Sequence, residues 1–129
     1  MRQRGFSWSA TREAVRRCRE RGYVDDAELA TALTGRAQRA GRGRARIAAE
    51  LRARGIPREL VDQSLSTIGA EDEDSAALTV ARRLLEKEMR NHPDSDGISR
   101  RISAAMQRRG YASSVIARAL RTLSDETRR

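Results

Sequence analysis

The chain has 129 residues and a formal charge of +9, with 27 basic side chains against 18 acidic ones, so it suits one domain or a short row of modules and favours an anionic partner. Phe6, Trp8, Tyr23 and Tyr111 are its only aromatics, too few for a large β core. No run approaches the roughly 20 apolar residues that span a bilayer, which leaves no role at a membrane.

In chain order, a first helix is predicted over about residues 9–21, with Val15 and Cys18 as its apolar positions and Trp8 packed at its start. Asp25 then caps a second helix, with Glu28 completing an acidic capping box. Leu29, Ala30, Leu33 and Ala37 form its inward stripe, and Gly41 and Gly43 end it. The next helix covers about 44–54 and turns Ile47, Ala48 and Leu51 inward; Gly55 closes it. Pro57 takes the first position of the following helix, the one helical place proline favours, ahead of Leu60, Val61, Leu65 and Ile68. Four acids at 71–74 open a longer helix, where negative charge complements the macrodipole. Its stripe is Val80, Ala81, Leu84 and Leu85, and Asn91, His92 and Pro93 stop it. A polar loop at 94–97 leads to a helix with Ile98, Ile102 and Met106, then one with Val115, Ile116, Ala119, Leu120 and Leu123. The last residues read as a frayed tail. Nowhere does strand alternation appear, so the predicted fold class is all-α.

Self-similarity organises these helices. Residues 46–56 lie over 101–111, 55 positions apart, sharing Arg-Ile, an apolar residue four later and Arg-Gly. The register continues through Val61 over Ile116, Leu65 over Leu120 and Ile68 over Leu123. The preceding helices match at an offset of 48, residues 26–39 over 74–87. The expected organisation is therefore an N-terminal helix over 1–24, three-helix repeats over 25–69 and 70–124, and a tail over 125–129. Tandem units of this kind stack into an elongated, curved, modular molecule with a long face for a partner.

The chemistry points to binding. Arg36, Arg39, Arg42, Arg44 and Arg46 make a glycine-flanked basic run, and Arg52, Arg54, Arg100, Arg101, Arg108 and Arg109 repeat the theme in both units. Lys87 is the only lysine, so the cations are ones that grip phosphate or carboxylate in two-pronged fashion. At helix C-termini Arg52, Arg54, Arg108 and Arg109 also complement the dipole. An enzyme is not expected: His92 sits in a polar loop, Cys18 reads as a small core residue, and no cluster holds zinc. Gly41-Arg42-Gly43-Arg44 lacks the Lys-Ser/Thr ending of a phosphate loop and reads as a flexible basic turn. No cofactor, metal or small-molecule substrate is called for. One cysteine permits no internal disulfide and suits a reducing cytoplasm. An alternative is a helix-turn-helix transcription regulator using residues 44–68, but Arg58, Glu59 and Asp62 on its second helix make a poor surface for a DNA groove.

One ordered set of motifs is more specific. Gly22-Tyr23-Val24-Asp25-Asp26 precedes Leu29-Ala30, followed by Gly43-Arg44-Ala45-Arg46-Ile47, Glu50-Leu51 and Arg54-Gly55-Ile56. In these the chain resembles the RecX-type regulators of the bacterial RecA recombinase, from about residue 14 to residue 123. The resemblance implies a cytoplasmic monomer of tandem three-helix repeats, active in DNA repair, recombination and the SOS response. It implies lodging in the groove of the RecA filament on single-stranded DNA and restraint of filament growth, strand exchange and coprotease activity. Members carry a further pair of helices ahead of the segment matched by 9–21, which this chain is expected to lack.

Overall fold

The computed structural model describes residues 8–94 and 96–128. Within them the chain forms α1 (Trp8–Arg39), α2 (Arg44–Ala53), α3 (Arg58–Ser66), α4 (Ala70–Asn91), α5 (Ile98–Arg108) and α6 (Ser113–Thr127), with no strand among the described residues. Helix packing concentrates among α1, α2 and α3 and, separately, among α4, α5 and α6. The protein is an all-α helical repeat.

Each set of three encloses its own core. In the first, Ile47, Leu51, Ile56, Leu60, Val61 and Ile68 close over Ala30 and Ala37 of α1. In the second, Ile102, Met106, Tyr111, Val115, Ile116 and Leu123 close over Ala77, Val80 and Ala81 of α4. Alanines on the long helix let the short helices approach closely. At roughly 1.5–3 kcal/mol per fully buried large aliphatic side chain, cores this small leave each set with modest stability.

The short helices repeat at 55 as expected, but the long ones do not repeat at 48. Burial pairs Ala30 with Ala77, Leu33 with Val80, Thr34 with Ala81 and Ala37 with Leu84, a spacing of 47. Leu29, expected on the inward stripe, is exposed instead. The cause is local: Leu29-Ala30 and Ala76-Ala77-Leu78 put apolar residues side by side, so hydrophobicity alone leaves a one-residue ambiguity that packing resolves.

Three further expectations change. No break separates 9–21 from 26–39: α1 runs unbroken through Gly22 and Asp25, so the expected boundary at 24/25 falls inside a helix. A lone helical glycine costs only about 1 kcal/mol relative to alanine, and ion pairs of Glu13 with Arg16 and Arg17 support the upstream turns. Val15 and Cys18 consequently lie exposed on a helix segment that no other helix covers, not in a core. At the other end α6 continues to Thr127, and Glu126 grips Arg82 of α4 with both carboxylate oxygens, so most of the expected tail is helix. Pro57 sits one place earlier than expected, as the extended N-cap of α3. The expected packing of Trp8 concerns a side chain outside those described.

Candidate partner interface

The glycine-flanked basic run is where the two helix sets meet. Gly41 turns the chain with φ +77°, and an added Cβ there would lie 2.8 Å from Val80 Cγ2. Gly43, the N-cap of α2, donates its N–H to the Arg109 carbonyl at 2.7 Å, and Ala45 donates to Gly110 at 3.2 Å. A Cβ on Gly43 would sit 2.5 Å from the Gly110 carbonyl carbon, and one on Gly110 (φ +95°) would sit 2.4 Å from Arg46 N. Backbone thus lies directly on backbone, and only glycine permits it. The expected flexible basic turn is a fitted joint.

Several of the singled-out arginines serve this joint or its surroundings. Arg44 donates to the carbonyls of Leu65 at 2.7 Å and Ile68 at 2.6 Å while its Nε meets Glu73 at 3.0 Å. One guanidinium therefore joins the Ile68 N–H on the Leu65 carbonyl, supplies a donor to the Ile68 carbonyl just past α3, and ties both to the first turn of α4. Arg42 pairs with Glu50 at 2.9 Å. Arg46 reaches Glu50 at 3.4 Å and the Arg108 carbonyl at 3.4 Å. Arg109 returns a bond to the Ala40 carbonyl at 3.4 Å. Farther off, Arg101 of α5 pairs with Glu88 of α4 at 2.8 Å.

Below the joint lies Tyr111, only 4% exposed. Its hydroxyl has no hydrogen-bond partner among the described residues. Burial pushes its pKa up; Arg109 acts the other way and Glu73 adds to the rise.

Arg36, Arg39, Arg52, Arg54, Arg100 and Arg108 are exposed and have no acidic partner among the described residues. Arg36 and Arg54 both line a groove of about 350 Å³ between α1 and α2, together with Leu33, Arg42, Ile47, Glu50 and Leu51. The lining therefore mixes three arginines and one glutamate with aliphatic side chains. Arg58, weighed in the sequence only as part of a helix-turn-helix surface, is exposed on α3 beside the Gly55 turn. Among the described residues no group of His, Cys, Asp and Glu is arranged to hold a metal ion, and no helix is long and apolar enough to cross a membrane.

Residues 25–65, which run from within α1 to the end of α3, match the family profile "RecX, second three-helix domain". The "Regulatory protein RecX" of Trichlorobacter lovleyi is 32% identical over 120 residues, covering 90% of this chain and 76% of that protein. The chain belongs to the RecX family. The RecX of Mycobacterium sp. (strain JLS) is 35% identical over 116 residues, covering 88% of this chain and 63% of that protein. The Streptomyces coelicolor RecX is 30% identical over 128 residues, covering 98% of this chain and 66% of that protein. The chain thus spans less than two thirds of the length of the mycobacterial relative. No solved structure gives a significant match. The relatives carry the name of a regulatory protein, not of an enzyme.

Proposed function

We propose that this RecX protein regulates the RecA recombinase by binding its filament on single-stranded DNA and lowering its recombination and coprotease activities in the cytoplasm. Family membership carries this reading, and the unpaired arginines spread over both helix sets supply the chemistry. A recombinase filament on DNA is an extended, repeating target that carries an anionic strand, and both helix sets, α1–α3 and α4–α6, bear exposed arginines suited to it. The contacting residues are proposed to be Arg36, Arg39 and Arg54 around the α1–α2 groove, with Arg52, Arg100 and Arg108 beyond it. DNA is met as part of the filament, and the acting unit is one copy of the chain.

The test is binding of the purified protein, side by side at moderate salt, to RecA filaments on single-stranded DNA, to bare single-stranded DNA and to random duplex. Filament binding at least tenfold tighter than either DNA is expected. Equal binding to all three would make this a non-specific basic protein. Arg36→Ala with Arg54→Ala should weaken filament binding several-fold and flatten its salt dependence while leaving helicity unchanged. Unchanged affinity in that double variant would remove the groove from the interface.

A further inference from the structure

In each helix set a groove runs between the long helix and the third helix, and the repeat register makes the two grooves counterparts. The one between α4 and α6, of about 390 Å³, is lined by Asp74, Leu78, Arg118 and Ala119 among others. The one between α1 and α3, of about 550 Å³, is lined at the same places by Ala27, Thr31, Gln63 and Ser64, 47 residues earlier on the long helix and 55 earlier on the third. In the α4–α6 groove Arg118 and Asp74 join the two sides at 3.2 Å, and Arg82 with Glu126 makes a second tie between these helices. Neither tie has a counterpart between α1 and α3, where Ala27 stands for Asp74, Gln63 for Arg118 and Gly35 for Arg82.

The α1–α3 groove has no charged residue in its lining, on a chain in which 35% of residues are charged. Depletion of charge is what marks the centre of a protein–protein interface against ordinary surface. Hydroxyls and amides take its place. Apart from the phenol of Tyr111, Thr34 and Ser64 are the only buried side chains with polar atoms among the described residues, and both line this groove. The second unit has Ala81 and Ala119 at their places. The Thr34 Oγ1 finds no hydrogen-bond partner among the described residues, a cost to the free protein that a bound partner would offset. Thr31, Ser66 and Thr67 donate their hydroxyl protons to the carbonyls of Ala27, Gln63 and Ser64 at 3.0, 2.7 and 2.6 Å, so their remaining capacity is to accept. Gln38 and Gln63 add amides that donate and accept. Such a lining suits an uncharged group bearing N–H donors, as a polypeptide does, and offers no cation to hold a phosphate.

We propose that the α1–α3 groove receives an uncharged, amide-bearing segment of the recombinase protein itself, and that this contact supplies affinity which salt does not screen. The inference rests on the RecA reading and adds to it a second surface, different in chemistry from the exposed arginines. The two surfaces adjoin. Gly35 lines the groove, and a Cβ on it would lie 3.2 Å from the guanidinium of Arg39, one of the proposed filament contacts. One partner seated across α1 can therefore meet both. Salt weakens contacts between exposed charges and leaves neutral hydrogen bonds in place, so a salt titration separates the two contributions.

The test carries the second unit's ion pair into the first, as Ala27→Asp with Gln63→Arg. One acid and one base are added together, so the net charge stays at +9, and the pair is one that the same fold already holds between Asp74 and Arg118. Affinity for RecA filaments on single-stranded DNA is measured from low to high salt, beside affinity for bare single-stranded DNA. Wild type should keep its preference for filaments at high salt. The double variant should lose at least about tenfold in filament affinity at every salt concentration, with its salt slope and its binding to bare DNA unchanged. Thr34→Val removes the unpartnered hydroxyl and keeps the shape of the side chain. It should raise the urea midpoint of the free protein yet weaken filament binding at least about threefold, which keeps the proposal open to test if the double variant does not fold. Retained filament affinity in either folded variant, or an equal loss on bare DNA, would overturn the groove as a protein contact. A wild type without preference for filaments overturns the RecA reading itself and this inference with it, a failure visible before any variant is made.

Discussion

Gly43 and Gly55 look alike in sequence, each beside an arginine at a helix boundary, but their surroundings set very different demands. At Gly55 a methyl would meet open space and only the positive φ opposes it, a cost of about 1–2 kcal/mol. At Gly43 the methyl would collide with the backbone of Gly110 and Tyr111, which cannot rotate away, so overpacking of at least about 1–3 kcal/mol is expected. Gly110 combines both penalties. In urea unfolding the loss of stability should therefore rank Gly110→Ala above Gly43→Ala above Gly55→Ala. Tyr111 invites the opposite change. Its buried, unpartnered hydroxyl makes Tyr111→Phe neutral or stabilising, by up to about 1 kcal/mol. The pH dependence has a definite sign: the folded chain holds the phenol proton to higher pH than the unfolded chain does, which loses it near pH ~10. That contribution is complete below this range and is lost as pH climbs through the raised folded value, so alkaline stability should fall in wild type and fall less in Tyr111→Phe. Little of this was legible beforehand. The basic run from Arg36 to Arg46 could be seen in the sequence, but the partner of Arg44 is 29 residues away at Glu73 and its carbonyl acceptors belong to another helix.

Helices were easier to read than their limits. Apolar spacing located α2 to α6 because each carries a clear inward stripe bounded by glycine or proline. α1 escaped division because Gly22 and Asp25 resemble boundary signals yet carry no obligation to break a helix. Gly22 has nothing within 4 Å of an added Cβ, so Gly22→Ala should deepen the helical circular dichroism signal. It should slow amide exchange across residues 15–25, with a local gain of about 0.5–1 kcal/mol and little change in global unfolding. A drop in helicity would mean that the chain needs a flexible point at Gly22. The end of α6 depended on a distant partner in the same way: Glu126 finds Arg82 on α4, 44 residues away in sequence. The one-residue error in the long-helix register came from alanine-rich neighbours that look equally apolar on either face.

At the scale of the whole molecule, the repeat was legible and its assembly was not, since a gap-free match at 55 predicts equivalent helices but not which turn meets which loop. The two cores share no buried cluster, and their coupling runs through the glycine joint and the Arg44–Glu73 pair. Each of its two backbone hydrogen bonds contributes about 1 kcal/mol net, enough to make two marginal units unfold together. Hydrogen exchange should accordingly report similar opening free energies for amides of α2–α3 and of α5–α6 in wild type. In Gly43→Ala they should separate, and equal protection in that variant would place the coupling elsewhere. The unbroken α1 carries a mechanical consequence of its own. At 1.5 Å per residue its 32 residues form a rod of about 48 Å, with one half anchored in a core through Ala30 and Ala37 and the other half carrying Arg12, Arg16, Arg17 and Arg19 in solvent. Whatever grips the free half acquires a lever arm, and a sideways pull on Arg19 arrives as torque at Ala30.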